Sequence, residues 1–106
     1  MNNNTTTKSY LSKKDREKMP WQAQVQKLRR IANRAQKHAD HMDDLLDTFY
    51  FDMLRDAETP AEIAKATADM NAAAEDRNAA RAKARGAAEE MVAVAKANND
   101  PRAAGL

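Results

Sequence analysis

The chain has 106 residues, with 18 basic and 16 acidic side chains, 23 alanines, two glycines and no cysteine. At this length one domain is expected, and an enzyme of two domains is excluded. The absence of cysteine excludes disulfides and thiolate chemistry, and the scarcity of aromatic and β-branched residues argues against a sheet protein. Alanine and charged residues in such excess predict an all-α protein with long helices.

Residues 1–19 form a polar and basic segment with few apolar side chains. A segment of this composition buries too little apolar surface to order itself, so we predict a flexible basic arm. Within it, Ser12 and Asp15 have the spacing of a helix cap, which favours one short helical turn over residues 13–18.

A stripe of apolar residues begins after Pro20 and recurs at alternating steps of four and three, the pattern of a coiled coil. Its members are Trp21, Val25, Leu28, Ala32, Ala35, Ala39, Met42, Leu46, Phe49 and Met53. Pro20 suits the first position of a helix because its missing N–H costs nothing there. We predict a helix over residues 20–55, about 54 Å long at 1.5 Å per residue.

The helix is expected to end in a turn over residues 56–59, because Pro60 disfavours helical geometry at the residue before it. Thr59 can cap the next helix, and Glu62 can complete a capping box. A second stripe then contains Ile63, Ala66, Met70, Ala73, Arg77, Ala80, Ala84, Ala87, Met91 and Val94. We predict a second helix over residues 60–98.

Two helices of similar length joined by a short turn predict an antiparallel two-helix coiled-coil hairpin over residues 20–99, with a tail over residues 100–106. The second helix holds 16 alanines, which bury little apolar area. The first helix carries more apolar surface than one partner helix can cover. We therefore expect self-association into a helical bundle, most simply a four-helix bundle from two hairpins, although a larger oligomer is equally open.

The formal net charge of +2 conceals a strong segregation of charge. Residues 1–38 hold ten basic and two acidic side chains, residues 39–76 hold two and eleven, and residues 77–106 hold six and three. In an antiparallel hairpin both basic segments lie at the open end and the acidic segment lies at the turn. The ends then carry about +11 and −9, which predicts an anionic partner for one and a cationic partner for the other.

The basic residues of the predicted open end are candidates for contacts with phosphates of DNA or RNA. They are Lys13, Lys14, Arg16, Lys18, Lys27, Arg29, Arg30, Arg34, Lys37, Arg81, Lys83 and Arg85. No helix-turn-helix, zinc-finger or aromatic RNA-binding motif accompanies them, so any binding is expected to be non-specific. The alternative is that these side chains only solvate the helix surface.

The acidic end of the predicted hairpin is a candidate surface for a basic protein partner, since clustered exposed aromatics mark interfaces. The residues concerned are Asp43, Asp44, Asp47, Phe49, Tyr50 and Phe51. The alternative is burial of the aromatic residues within the protein's own oligomer.

Three further features are ambiguous. His38 and His41 share a helix face. We interpret them as polar residues that flank the coiled-coil seam rather than as metal ligands, and no metal or cofactor is predicted. Arg77 stands in a seam position with Asp40 and Asp43 within reach, which favours a role in fixing register. Gly86 is interpreted as a close-contact site or a tolerated cost rather than a hinge.

The sequence shows no supported pair of nucleophile and base and no glycine-rich phosphate loop, so an enzyme is not expected. The leading hypothesis is an accessory or assembly factor that binds nucleic acid. The alternatives are a protein-interaction or inhibitor module that docks a basic partner, and a scaffolding subunit of a larger, possibly phage-like assembly. No membrane association is expected, and the location is expected to be cytoplasmic or intra-virion.

Overall fold

The structure is a computed structural model, and it describes residues 9–98. In chain order its elements are α1 (Lys13–Lys18), α2 (Trp21–Leu45), a π-helical segment (Leu46–Tyr50), α3 (Phe51–Asp56) and α4 (Pro60–Ala97). The described residues contain no strand, which confirms the all-α class. None of these helices combines the length and the apolar character needed to cross a membrane. The predicted tail and residues 1–8 lie outside the described range.

The first helix, α1, forms where the cap spacing predicted a single helical turn. The Ser12 hydroxyl oxygen accepts a hydrogen bond from the backbone N–H of Asp15 at 3.0 Å. The ammonium group of Lys27 binds the carboxylate of Asp15 and so attaches α1 to α2. Local capping and a charged contact thus connect residues 12–18 to α2, and the flexibility of the arm over residues 1–19 stays a prediction.

The chain divides into two compact units, of which unit 1 contains residues 9–33 and 85–98 among those described. Its core brings Val25 of α2 against Ala95 of α4. Trp21, Met91 and Val94 pack around this pair. Leu28 and Leu11 are also buried, with 0% and 3% of their surface exposed. Burial of Leu11 anchors the segment before α1, a contact that the stripe of α2 does not reveal.

Gly86 lies inside α4 and faces the ring of Tyr10, within unit 1. A Cβ atom added to Gly86 would stand 2.9 Å from Cε2 and 3.0 Å from Cζ of that ring. Contacts this short force one of the two groups to move, so the absence of a side chain is what admits the tyrosine. The interpretation of Gly86 as a close-contact site is confirmed.

Unit 2 contains residues 34–84 and has a core made largely of alanine. Its buried apolar residues are Ala35, Ala39, Met42, Ala66, Ala73, Ala80 and Ala84, all of them members of the two predicted stripes. Alanine forms helix readily but removes little apolar area from water when it is buried. The core of unit 2 is consequently thin.

The turn between α3 and α4 is fixed by the capping box that the sequence predicted. The Thr59 hydroxyl accepts a hydrogen bond from the N–H of Glu62 at 3.1 Å. The Glu62 carboxylate accepts from the N–H groups of Glu58 and Thr59, at 2.9 and 3.0 Å. These backbone donors, Glu58 first and then Thr59, hold the pKa of Glu62 below its ordinary value of 4.5.

The π-helical segment interrupts the first predicted stripe. Within it the Thr48 hydroxyl donates a hydrogen bond to the carbonyl oxygen of Asp44 at 2.7 Å, where an uninterrupted α-helix would place the Thr48 N–H. A π turn inserts one extra residue and so rotates all following residues relative to the stripe. Phe49, predicted in the seam, is accordingly 57% exposed, whereas Tyr50 is partly buried. The seam assignment of Phe49 is therefore wrong.

Candidate functional site

The predicted contact between Arg77 and Asp43 is present in unit 2. Nη1 of Arg77 lies 3.1 Å from Oδ1 of Asp43, and the guanidinium of Arg81 binds the other carboxylate oxygen. Asp43 joins α2 to two successive turns of α4 in this way. Asp43 and Arg81, predicted to bind a protein partner and nucleic acid respectively, thus neutralise each other within the chain.

The histidine pair does not form a cluster of metal ligands. Nε2 of His38 lies 2.9 Å from a carboxylate oxygen of Asp76 on α4. His41 is exposed and makes no hydrogen bond or ion pair within residues 9–98. Over the same residues no three histidine, aspartate or glutamate side chains are grouped as a metal site. His38 therefore contributes a polar contact between α2 and α4.

Most of the cations predicted to bind nucleic acid are exposed and form no salt bridge within residues 9–98. In unit 1 these are Lys13, Lys14, Arg16, Lys18, Arg29, Arg30 and Arg85. In unit 2 they are Arg34, Lys37 and Lys83. Lys27 differs, because its ammonium is bound to Asp15. Unit 1 therefore holds more exposed cations without a salt bridge to a described carboxylate than unit 2 does.

Two carboxylates of unit 1 are occupied by internal contacts. The hydrogen bond from Lys27 is the largest cause that holds the pKa of Asp15 below its ordinary value of 3.8. The Glu90 carboxylate accepts hydrogen bonds from the Ser9 hydroxyl and, at 2.8 Å, from the backbone N–H of Tyr10. The Glu90 contact was not predictable from local sequence, since its partners are 80 and 81 residues away. These bonds hold the segment before α1 against α4.

A groove of about 480 Å³ opens within unit 2 beside the π-helical segment. Its apolar walls and floor are formed by Met42, Phe49, Tyr50, Met53, Ala72 and Ala73. The rings of Phe49 and Tyr50 meet edge to face, with centroids 5.2 Å apart. The apolar part of α4 in this groove consists of Ala72 and Ala73, whose small side chains leave space beside the aromatic pair.

The rim of this groove is charged. Lys65, Asp69 and Asp76 of α4 line it. Nζ of Lys65 lies 2.8 Å from Asp69, and this hydrogen bond raises the pKa of Lys65 above its ordinary value. Asp69 is bound to Lys65 and Asp76 is bound to His38, but 39% and 52% of their side chains remain exposed. Each carboxylate can therefore still accept a hydrogen bond from a further donor. The sequence predicted Phe49 and Tyr50 as partner-binding residues, but it did not predict that α4 residues would join them in one groove.

The other predicted partner-binding residues lie at the surface of unit 2. Phe51 is 54% exposed. Ile63, which was predicted in the seam of the second stripe, is 45% exposed, so that seam assignment is wrong. Asp44 and Asp47 are exposed and form no salt bridge within the described part of the chain. Exposed aromatic and acidic side chains therefore occur together in this unit, as the sequence predicted.

Comparison of the chain with protein-family models, curated proteins and solved structures finds no match. Two surfaces of the described residues are therefore the functional candidates: the exposed cations of unit 1 and the groove of unit 2.

Proposed function

We propose that this chain is a non-enzymatic, self-associating helical hairpin that contacts nucleic acid non-specifically, as an accessory or assembly factor. The contact surface consists of the exposed cations of unit 1. These are the basic residues of α1, Arg29 and Arg30 of α2, and Arg85 of α4. The carrying observation is that seven of these side chains form no salt bridge within residues 9–98, whereas only two carboxylates of unit 1, Glu17 and Glu89, are exposed without one.

The order of the α1 segment supports this proposal. Lys13, Lys14, Arg16 and Lys18 lie on a capped helix rather than on a free chain. A cationic surface that is already ordered loses less conformational entropy when it binds phosphates than a disordered arm does. No base-reading element accompanies the cations, so affinity is expected to depend on charge rather than on sequence.

Self-association is supported by the small core. Leu28 is the largest fully buried side chain among the described residues, and most other buried residues are alanines. Association of two hairpins would bury additional apolar surface, and each Å² contributes about 25 cal/mol. Sedimentation equilibrium over a range of protein concentrations should give a mass above that of one chain, and a monomer throughout would contradict this part of the proposal.

Fluorescence anisotropy with a labelled DNA duplex and its labelled single strand tests nucleic-acid binding directly. The logarithm of the binding constant should fall linearly as the logarithm of salt concentration rises, because bound phosphates release counterions. Replacing either Arg29 or Arg30 singly by glutamine should reduce the slope for duplex DNA by up to about 0.9, the value for one phosphate contact.

Arg55→Gln is the matched control for charge, because Arg55 is bound to Asp52 and Asp56 in unit 2. This variant should leave the slope unchanged. An absence of binding at low salt, a slope of zero, or equal effects of the two sets of variants would contradict the proposal.

A further inference from the structure

The groove of unit 2 has the dimensions of a site for one helix. Its α4 side runs from Lys65 to Asp76. These two residues are eleven positions apart along the helix, or about 17 Å at a rise of 1.5 Å per residue. This distance equals about three helical turns. An amphipathic helix that enters such a groove inserts apolar side chains at positions i, i+3 or i+4, and i+7.

The groove presents the apolar contacts that such a helix requires. Phe49 is 57% exposed although its ring stacks edge to face on Tyr50. Ala72 is exposed on the opposite side, and its methyl group leaves room for a larger side chain from outside. The π turn holds Phe49 outside the core, and π turns occur frequently at functional sites.

The surrounding charge determines which helix fits. Residues 39–76 hold eleven acidic side chains and only two basic ones, Arg55 and Lys65. Both cations are bound to carboxylates, Arg55 to Asp52 and Asp56, and Lys65 to Asp69. Arg77 and Arg81, which lie outside this segment, offset the charge of Asp43. Asp44, Asp47 and Glu75 remain exposed and form no salt bridge within residues 9–98, so a positively charged partner is attracted.

The same charge disfavours two other occupants. A nucleic acid would bring phosphates against the carboxylates of Asp69 and Asp76. A second copy of this chain in a symmetric contact would bring its own residues 39–76 against the same segment, with like charges on both sides.

We propose that the groove formed by Phe49, Tyr50, Met53, Ala72 and Ala73 binds a positively charged amphipathic helix of a partner protein. Apolar side chains on one face of that helix enter the groove, and its lysines or arginines face Asp69 and Asp76. This surface lies in unit 2 and is independent of the cations proposed to bind nucleic acid.

Two synthetic helical peptides of the same leucine pattern provide the test, one with lysine and one with glutamate flanking the leucines. Anisotropy titrations of the full chain should show at least about tenfold tighter binding of the lysine peptide. Ala72→Arg should weaken that binding at least about tenfold, because the long side chain fills the groove. Ala64→Arg adds the same charge at an exposed site outside the groove and should leave the affinity within about twofold.

A second pair of variants separates rim charge from total charge. Asp76→Asn should weaken binding of the lysine peptide more than Glu75→Gln, since Glu75 is exposed and does not line the groove. Circular dichroism verifies that all variants remain helical, and DNA binding of Phe49→Ala should match that of the unmodified chain.

Three results would overturn the proposal. The first is binding of the lysine peptide that Ala72→Arg and Ala64→Arg affect equally. The second is the absence of binding to either peptide. The third is a fall in the sedimentation mass of the Ala72→Arg variant alone, which would identify a second copy of the chain as the occupant.

Discussion

The contact between Gly86 and Tyr10 predicts that one substitution changes stability differently in two backgrounds. In an exposed helix, glycine to alanine stabilises by about 1 kcal/mol through helix propensity. In this chain the new methyl group would stand 2.9 Å from the tyrosine ring, so the ring must move. Gly86→Ala should therefore stabilise a Tyr10→Ala variant but not the unmodified chain.

The expected magnitude follows from the burial of Tyr10. This residue is 38% exposed, so about three fifths of its roughly 200 Å² of surface is covered. At about 25 cal/mol per Å² the covered area sets an upper limit near 3 kcal/mol. Displacing the ring sacrifices part of this energy, about 1–2 kcal/mol, which offsets or exceeds the gain in propensity.

Urea denaturation followed by circular dichroism, at one fixed protein concentration, measures the four members of this double-mutant cycle. We expect Gly86→Ala to add about 1 kcal/mol in the Tyr10→Ala background. In the unmodified chain it should add nothing or remove up to about 1 kcal/mol. Tyr10→Phe removes the hydroxyl, which is the group nearest to the added Cβ, but keeps the ring, so its response should lie between those of the unmodified chain and Tyr10→Ala. An equal gain in all backgrounds would refute the contact between Tyr10 and Gly86.

Three other variants test the core, the turn and the carboxylate that joins α2 to α4. Leu28→Ala should lower the free energy of unfolding by about 2–5 kcal/mol in urea titrations, because Leu28 is fully buried; a smaller loss would contradict its central place in the core. The hydrogen bonds that lower the pKa of Glu62 stabilise the folded state above pH 4.5. This contribution is lost as the pH falls through the lowered pKa of the folded state. In thermal melts at neutral and acidic pH, Glu62→Gln should therefore lose less stability on acidification than the unmodified chain, and an unchanged pH dependence would count against the capping role. Asp43→Asn should cost about 1 kcal/mol in urea because it removes the carboxylate shared by Arg77 and Arg81, whereas Asp44→Asn should cost nothing measurable; equal losses would contradict a specific contact.

Local chemistry explains why several features were predictable. The capping box of Thr59 and Glu62 acts within four residues, so its pattern is visible in the chain itself. The buried alanines of α2 and α4 follow the predicted heptads, since helix periodicity alone assigns residues to one face. The contact of Arg77 with Asp43 was predictable because both lie near the seam.

Other features of the candidate sites depend on contacts that periodicity does not encode. The exposure of Phe49 results from one extra residue in the π turn, which changes the phase of the stripe without changing its composition. The groove also requires Ala72 and Ala73 to lie beside the aromatic pair. Nothing in the local sequence distinguishes these two residues from the other alanines of α4.

The sequence by itself determined the helical class, the turn before Pro60 and the segregation of charge, because propensity, capping and charge counts are local properties. Tertiary structure alone decided which charges remain available. Asp15 and Glu90 are occupied by groups 12 and 81 residues away, and only packing brings such groups within hydrogen-bond distance.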